Sequence, residues 1–180
     1  MEDRERPARS PEVRSEGGAP PAVDFAALTP IRLARLERTP RALRKLLDGD
    51  NREAAMRRPA PAAWSGAEVV CHLRDIEEAY FDRIRFIVLN DRPALIQLDP
   101  DRWVDDRQYR RCDLADALAA FRARREETLE YLGSLAPERW ERGADHPARG
   151  RLTVRRVVHS LASHDVEHLD QIARALAGKE

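Results

Sequence analysis

The chain has 180 residues, with 32 basic and 32 acidic side chains and a formal net charge of zero, a length that suits one domain with a real core. A balanced chain has no field of one sign to draw it to nucleic acid or to an anionic membrane, so partners of those two kinds are not expected, and most of the charge, 36% of residues, belongs on solvated helix faces. No run approaches the ~20 apolar residues of a membrane span, Met1–Arg6 lacks the apolar core of a signal peptide, and Cys71 and Cys112 make neither a CxxC nor a disulfide framework; the expected address is the cytoplasm, where thiols stay reduced.

Residues 1–22 are polar and interrupted by Pro7, Pro11, Gly17, Gly18, Pro20 and Pro21. They cannot bury enough apolar surface to offset ordering entropy and read as a disordered tail, leaving 23–180 as the folded domain. Thr29-Pro30 and Thr39-Pro40 each resemble an N-cap followed by proline at the first helical position. The first helical region, about 29–48, is therefore expected to break or kink at Pro40, with 40–48 its better half and Gly49 its stop. Ser65-Gly66-Ala67-Glu68 is a capping box that opens a second helix, running to about Leu89. A long connection, 91–111, follows. The third helix spans about Asp113 to Leu135, and a second connection covers 136–152. Thr153 caps the fourth helix, which ends near Ala177 before Gly178. No stretch alternates strictly enough to predict a strand. Four helices with two long links predict an all-α four-helix bundle.

Helical periodicity of about 100° per residue shows which way the polar residues face. On the fourth helix Val154, Val157, Leu161, Ile172 and Leu176 form an apolar arc; His164 and His168 sit on its edge, one turn apart, with Gln171 beside them and Asp165 inside the arc. His72 shares the buried side of the second helix with Val69, Ile76, Tyr80 and Ile87. Arg125 lies mid-stripe on the third helix, between Phe121 and Leu129. Inward-facing polar groups need partners. Three imidazoles from two helices can share a divalent metal ion such as zinc or nickel, and three ligands leave a position open for water or substrate. Hydrogen-bonded core histidines are the alternative. For Arg125, a buried ion pair with Asp165, Asp75 or Glu78 is favoured over a bidentate grip on a substrate or thiol-cofactor carboxylate. Asp165 or Asp75 could orient a ligand imidazole, although Asp75 falls well off the buried arc. Cys71 is turned away from His72 and reads as a packing residue, Cys112 as an inert thiol at a helix start. His146 and His159 are expected in solvent; His146 as a substrate-side acid is the lesser reading. Trp64, Trp103 and Trp140 should cover the bundle ends, with Trp103 and Tyr109 candidates to roof a pocket.

These residues match a family pattern. Trp64-Ser65-x-x-Glu68-Val69-Val70-x-His72-Leu73-x-Asp75, Phe121-x-x-x-Arg125-Glu126, and Gly150-x-Leu152-Thr153-Val154 followed by His164-Asp165-x-x-His168-Leu169-x-Gln171-Ile172 resemble, in that order, the second, third and last helices of DinB-like proteins. The resemblance covers about residues 25–178. It implies an up-down-down-up four-helix bundle and a metal held by His72, His164 and His168. Characterised enzymes of that family include thiol-dependent S-transferases, such as bacillithiol transferases, and mycothiol-dependent maleylpyruvate isomerase, while many members have no known activity. The resulting expectation is a metal-dependent enzyme that activates a low-molecular-weight thiol or water against a small electrophile, in a pocket between the second, third and fourth helices. Its rival is a non-enzymatic metal-binding stress-response bundle. The family resemblance also suggests a homodimer.

Overall fold

In the computed structural model, which describes residues 23–179, helix α1 (Phe25–Leu46) begins earlier and runs further than the threonine-proline pairs suggest. Asp24 is its N-cap, accepting from the amides of Ala26 and Ala27 at 3.0 and 3.1 Å. The expected break at Pro40 does not occur, and the reason is tertiary. Proline removes the N–H that would bond the carbonyl of Leu36. Arg125 Nη1 donates to that carbonyl instead, at 2.9 Å. Neither threonine caps a new helix: Thr29 Oγ1 donates to the Phe25 carbonyl one turn back, and Thr39 Oγ1 donates to Asp165 Oδ2 at 2.6 Å. The predicted tail, 1–22, lies outside the described residues.

A one-turn helix α2 (Asn51–Ala54) leads to α3 (Gly66–Leu89), where the expected capping box is present in both directions. Glu68 also takes Arg58 Nε at 2.7 Å, so the box is locked from outside the helix. The far end of α3 has no basic residue in its last turn. Arg139 and Arg142 supply donors from a distance, to the carbonyls of Val88, Ile87 and Asn90.

The connection after α3 holds a short helix, α4 (Trp103–Asp106), between two 3₁₀ turns, and is tethered rather than loose. Leu95 and Pro93 hydrogen-bond both backbone groups of Asp145. Asp75 on α3 accepts from Arg74 at 2.7 Å, faces Arg107 at 3.0 Å and lies beside the Tyr109 phenol, whose pKa is raised first by burial and then by that carboxylate. Asp75 is thus buried, contrary to the helical-wheel expectation, because the connection folds over it.

Helix α5 (Leu114–Gly133) starts at an Asp113 N-cap. The second connection forms a hairpin, β1 (Gly143–His146) with β2 (Gly150–Thr153), that the sequence did not announce. Each strand has only four residues and little alternation. The three-residue turn closes at Gly150 with φ +64°, a conformation that favours glycine. Thr153 ends β2 and caps α6 (Val154–Leu176) through the amide of Arg156.

Helix pairing follows from side-chain contacts. Thr29 meets Arg155 and Thr39 meets Asp165, so α1 and α6 run parallel. Glu77 meets Arg125 and Phe81 meets Tyr131, so α3 and α5 run parallel. His72 meets His164 while Ile87 meets Arg142 just before α6, so α3 and α6 are antiparallel. The result is an up-down-down-up bundle in which α1 and α3 are diagonal.

Two apolar clusters fill the bundle. One holds Leu36, Ile84, Ile87, Leu132, Val157 and Leu161; the other holds Leu43, Val69, Leu73, Phe121 and Ile172. Between them, on all four long helices, lies a polar layer of Thr39, Glu77, Arg125, Thr128 and Asp165, none more than 2% exposed.

Candidate metal centre

The polar layer accounts for Arg125. Its Nη2 donates to Glu77 Oε2 at 2.7 Å and its Nη1 to Asp165 Oδ2 at 2.7 Å, while Thr128 Oγ1 donates to Glu77 Oε1 at 2.6 Å. Burial by itself would lower the Arg125 pKa; Asp165 and Glu77 outweigh it, so the group is held firmly as a cation. The ion-pair reading therefore applies, with Asp165 as one partner. The second partner is Glu77, not Asp75 or Glu78. Glu77 is legible in the sequence as an inward-facing position, one turn after the buried Leu73 and seven residues before Ile84.

Beside this layer α3 and α6 bring three imidazoles together. His164 and His168 sit one above the other on α6, and His72 reaches them from the antiparallel neighbour. His164 Nε2 lies 3.1 Å from His72 Nε2 and 3.0 Å from His168 Nε2. The three rings offer ligand atoms all within 4.8 Å of one another. Ring centroids are 4.2–5.1 Å apart, with the planes tilted or edge-on. Trp64 covers His72 at 5.2 Å.

The donor set fits a divalent cation. Gln171 Oε1 lies 2.7 Å from His168 Nδ1 and, as an amide oxygen, accepts the proton there. That fixes the tautomer with a bare Nε2 directed at the other two rings. Three Nε2 atoms this close share at most one proton, whereas one cation satisfies all three lone pairs. Their spacing is near the ~3.3 Å expected between nitrogens on a tetrahedral ion with bonds of about 2.0–2.1 Å. Burial first, and neighbouring histidines second, press His72 to a pKa of about 4 and His164 to about 3; burial also lowers His168. All three are neutral at pH 7, the state a metal requires. Neither Asp75 nor Asp165 hydrogen-bonds a ring of the triad: Asp75 anchors the connection and Asp165 belongs to Arg125. Gln171 is the residue that touches a candidate ligand.

The histidines form one wall of a cavity of about 320 Å³. Trp64, Ile76 and Tyr80 continue that wall, and Gln97, Leu98, Pro100 and Asp101 from the connection face it. No residue of α5 contributes, so the pocket is not between three helices as expected: α5 turns its polar stripe into the ionic layer instead. The expected roof also differs. Trp103 lines a larger apolar groove of about 600 Å³ on the outer side of α3, and Tyr109 is buried in the core, edge-on to Trp64 at 6.5 Å. His146, expected in solvent, is buried and lines the histidine cavity, because β1 carries it there. Its Nδ1 accepts from the Ala148 amide at 3.2 Å, which leaves the proton of the neutral ring on Nε2. His159 is also only partly exposed, packed edge-on to Phe25 at 5.1 Å and away from the triad. Cys71 points away from His72 as expected, but it is joined in a disulfide to Cys112, so neither is a free thiol.

The DinB superfamily model matches residues 35–172. The chain belongs to the DinB superfamily. A protein from Oceanobacillus iheyensis named "Putative metal-dependent hydrolase" is 22% identical over 145 residues, 81% of this chain and 84% of that protein. The solved structure of YfiT from Bacillus subtilis, described as a probable metal-dependent hydrolase with an unusual four-helix bundle topology, is similar with a TM-score of 0.76 at 18% identity; the match covers 90% of this chain and 93% of that one. The four-helix bundle fold of YfiT is thus shared over nearly the whole described length. Among the described residues no helix is long and apolar enough to cross a membrane.

Proposed function

We propose that this DinB-superfamily protein is a metal-dependent hydrolase acting on a small electrophile in the cavity bounded by His72, His164 and His168. The observation that carries the reading is the convergence of three neutral Nε2 atoms on the wall of a solvent-reachable cavity. A zinc or nickel ion held there supplies a Lewis acid that makes a nucleophile of water, or of a low-molecular-weight thiol, at neutral pH. The protein's own groups do the rest. His168 is oriented by Gln171. Trp64, Ile76 and Leu98 exclude water from one side of the cavity. His146, with its proton on Nε2, can donate a hydrogen bond to a leaving group or a developing oxyanion. The names of the Oceanobacillus and Bacillus relatives favour hydrolysis; thiol transfer uses the same arrangement, and no residue of the cavity is specific to a thiol.

The test is metal analysis of untagged protein, followed by chelation and reloading. One zinc or nickel ion per chain is expected, lost in each of His72→Ala, His164→Ala and His168→Ala. Hydrolysis of p-nitrophenyl acetate and conjugation of monochlorobimane with a panel of thiols then separate water from thiol. Failure of the wild-type chain to retain any divalent ion at micromolar concentration would overturn the proposal.

A further inference from the structure

The histidine cavity carries two positive charges that the metal site does not use. Arg83 and Arg149 both line it. Arg83 lies on the stripe of α3 that includes His72, Ile76 and Tyr80, and over its eleven-residue separation from His72 the helix drifts by only about 20°. The two Cα atoms are therefore roughly 16 Å apart along the axis. The Arg83 guanidinium carbon lies 5.3 Å from the centre of the Tyr80 ring, so the side chain folds back toward the histidine end. Arg149 stands in the turn of the hairpin whose first strand delivers His146. Among the described residues neither guanidinium makes an ion pair, in a protein where Arg58, Arg74, Arg107, Arg125 and Arg155 all do.

The two arginines line the same cavity. Burial lowers the Arg83 pKa and Arg149 lowers it further; burial lowers the His146 pKa, and both arginines add to that. Facing the half-buried Arg83 with a second cation on the exposed turn costs energy unless an anion joins them. Among the described residues Asp101 is the one acidic residue of the lining, which leaves one net positive charge on that wall before any metal is bound. That balance suits a single carboxylate. Arg125 is unavailable for such a role, being paired with Glu77 and Asp165 in its buried layer.

We propose that the end of the cavity remote from the histidines is a carboxylate subsite, in which Arg83 and Arg149 hold the carboxylate of an extended small substrate or co-substrate while its reacting atom lies at the triad. Ile76, Tyr80 and Leu98 line the stretch between and suit an apolar spacer. The inference deepens the hydrolase reading and rests on it for the reacting end.

The test is calorimetric binding of 4-phenylbutyrate and its neutral amide to metal-free protein, so that an ion cannot contribute to carboxylate affinity. The acid should bind at least tenfold more tightly than the amide. Arg149→Gln, in an exposed turn, should cut that preference at least threefold, and Arg83→Gln with Arg149→Gln should abolish it, with melting temperature and zinc stoichiometry unchanged. Should the double variant fail to fold, the single Arg149→Gln variant decides. Equal affinity for acid and amide, no binding of either, or a preference that survives substitution overturns the subsite. His72→Ala separates the two proposals: retained acid preference without zinc supports the subsite alone. Zinc binding without acid preference leaves the metal reading standing and removes this one.

Discussion

Replacing Arg125 by methionine is expected to destabilise the fold by about 4–8 kcal/mol without touching metal binding. Arg125 and Glu77 are fully buried and Asp165 is 1% exposed. Deleting the cation strands two buried carboxylates, and breaking a buried ion pair from one side costs about 3–5 kcal/mol. The Leu36 carbonyl loses its donor at the same time, and Pro40 cannot replace it, which adds about 1–3 kcal/mol for an unsatisfied buried acceptor. Methionine is long and flexible enough to occupy much of the space, so the cavity contribution is small. The sum is comparable with the whole stability of an ordinary domain, about 5–15 kcal/mol. Urea unfolding at pH 7, followed by far-UV circular dichroism, measures the loss. A triple variant, Arg125→Met with Glu77→Met and Asp165→Leu, should recover more than half of it, since an apolar replacement of the entire network leaves no charge unpaired. A single variant within about 1 kcal/mol of wild type would refute the reasoning, and one that folds normally but loses zinc would move Arg125 into the metal centre.

His72→Ala and His168→Ala should each abolish stoichiometric zinc binding while keeping helicity; retained zinc in either would remove that residue from the ligand set. Gln171→Leu frees the His168 ring and should weaken zinc about 10–100-fold by competitive titration. In the metal-free protein, His72 titrates at about 4 and His164 at about 3, below the ~6.5 of the unfolded chain. The unfolded state therefore binds more protons below pH ~6.5, so stability is lost as pH falls from there toward about 3, and is independent of these groups above it. The urea midpoint should drop between pH 7 and 5, less so in His72→Ala; a profile that does not change with that substitution speaks against buried neutral imidazoles. Ser65→Ala removes one half of the α3 capping box and should cost about 1 kcal/mol in the same unfolding assay.

What the chain reveals on its own is local. The Ser65–Glu68 box, the Thr153 cap and the His164–His168 spacing depend on residues three or four apart, and helical geometry places such neighbours together whatever the rest of the molecule does. The inward facing of His72 and Arg125 was legible for the same reason. The four-residue strands of the hairpin were not: they are too short for a periodic signal, and their partners are set by the turn at Gly150.

Everything that joined distant segments was decided by the tertiary structure. Pro40 should end a helix by any local rule, yet α1 continues because Arg125, 89 residues beyond Leu36, takes over the orphaned carbonyl. Asp75 is polar and off the apolar arc, yet it is buried because a connection with its own arginines folds across it. His146 ends a strand that sequence reading leaves in solvent, and the pairing of the hairpin with Pro93–Leu95 brings it into the cavity of the three histidines. Residue types and their periodicity specify which face a side chain occupies. Only the packing of those faces determines which groups meet, because the partner that satisfies a buried charge or a missing hydrogen bond is chosen by proximity in space.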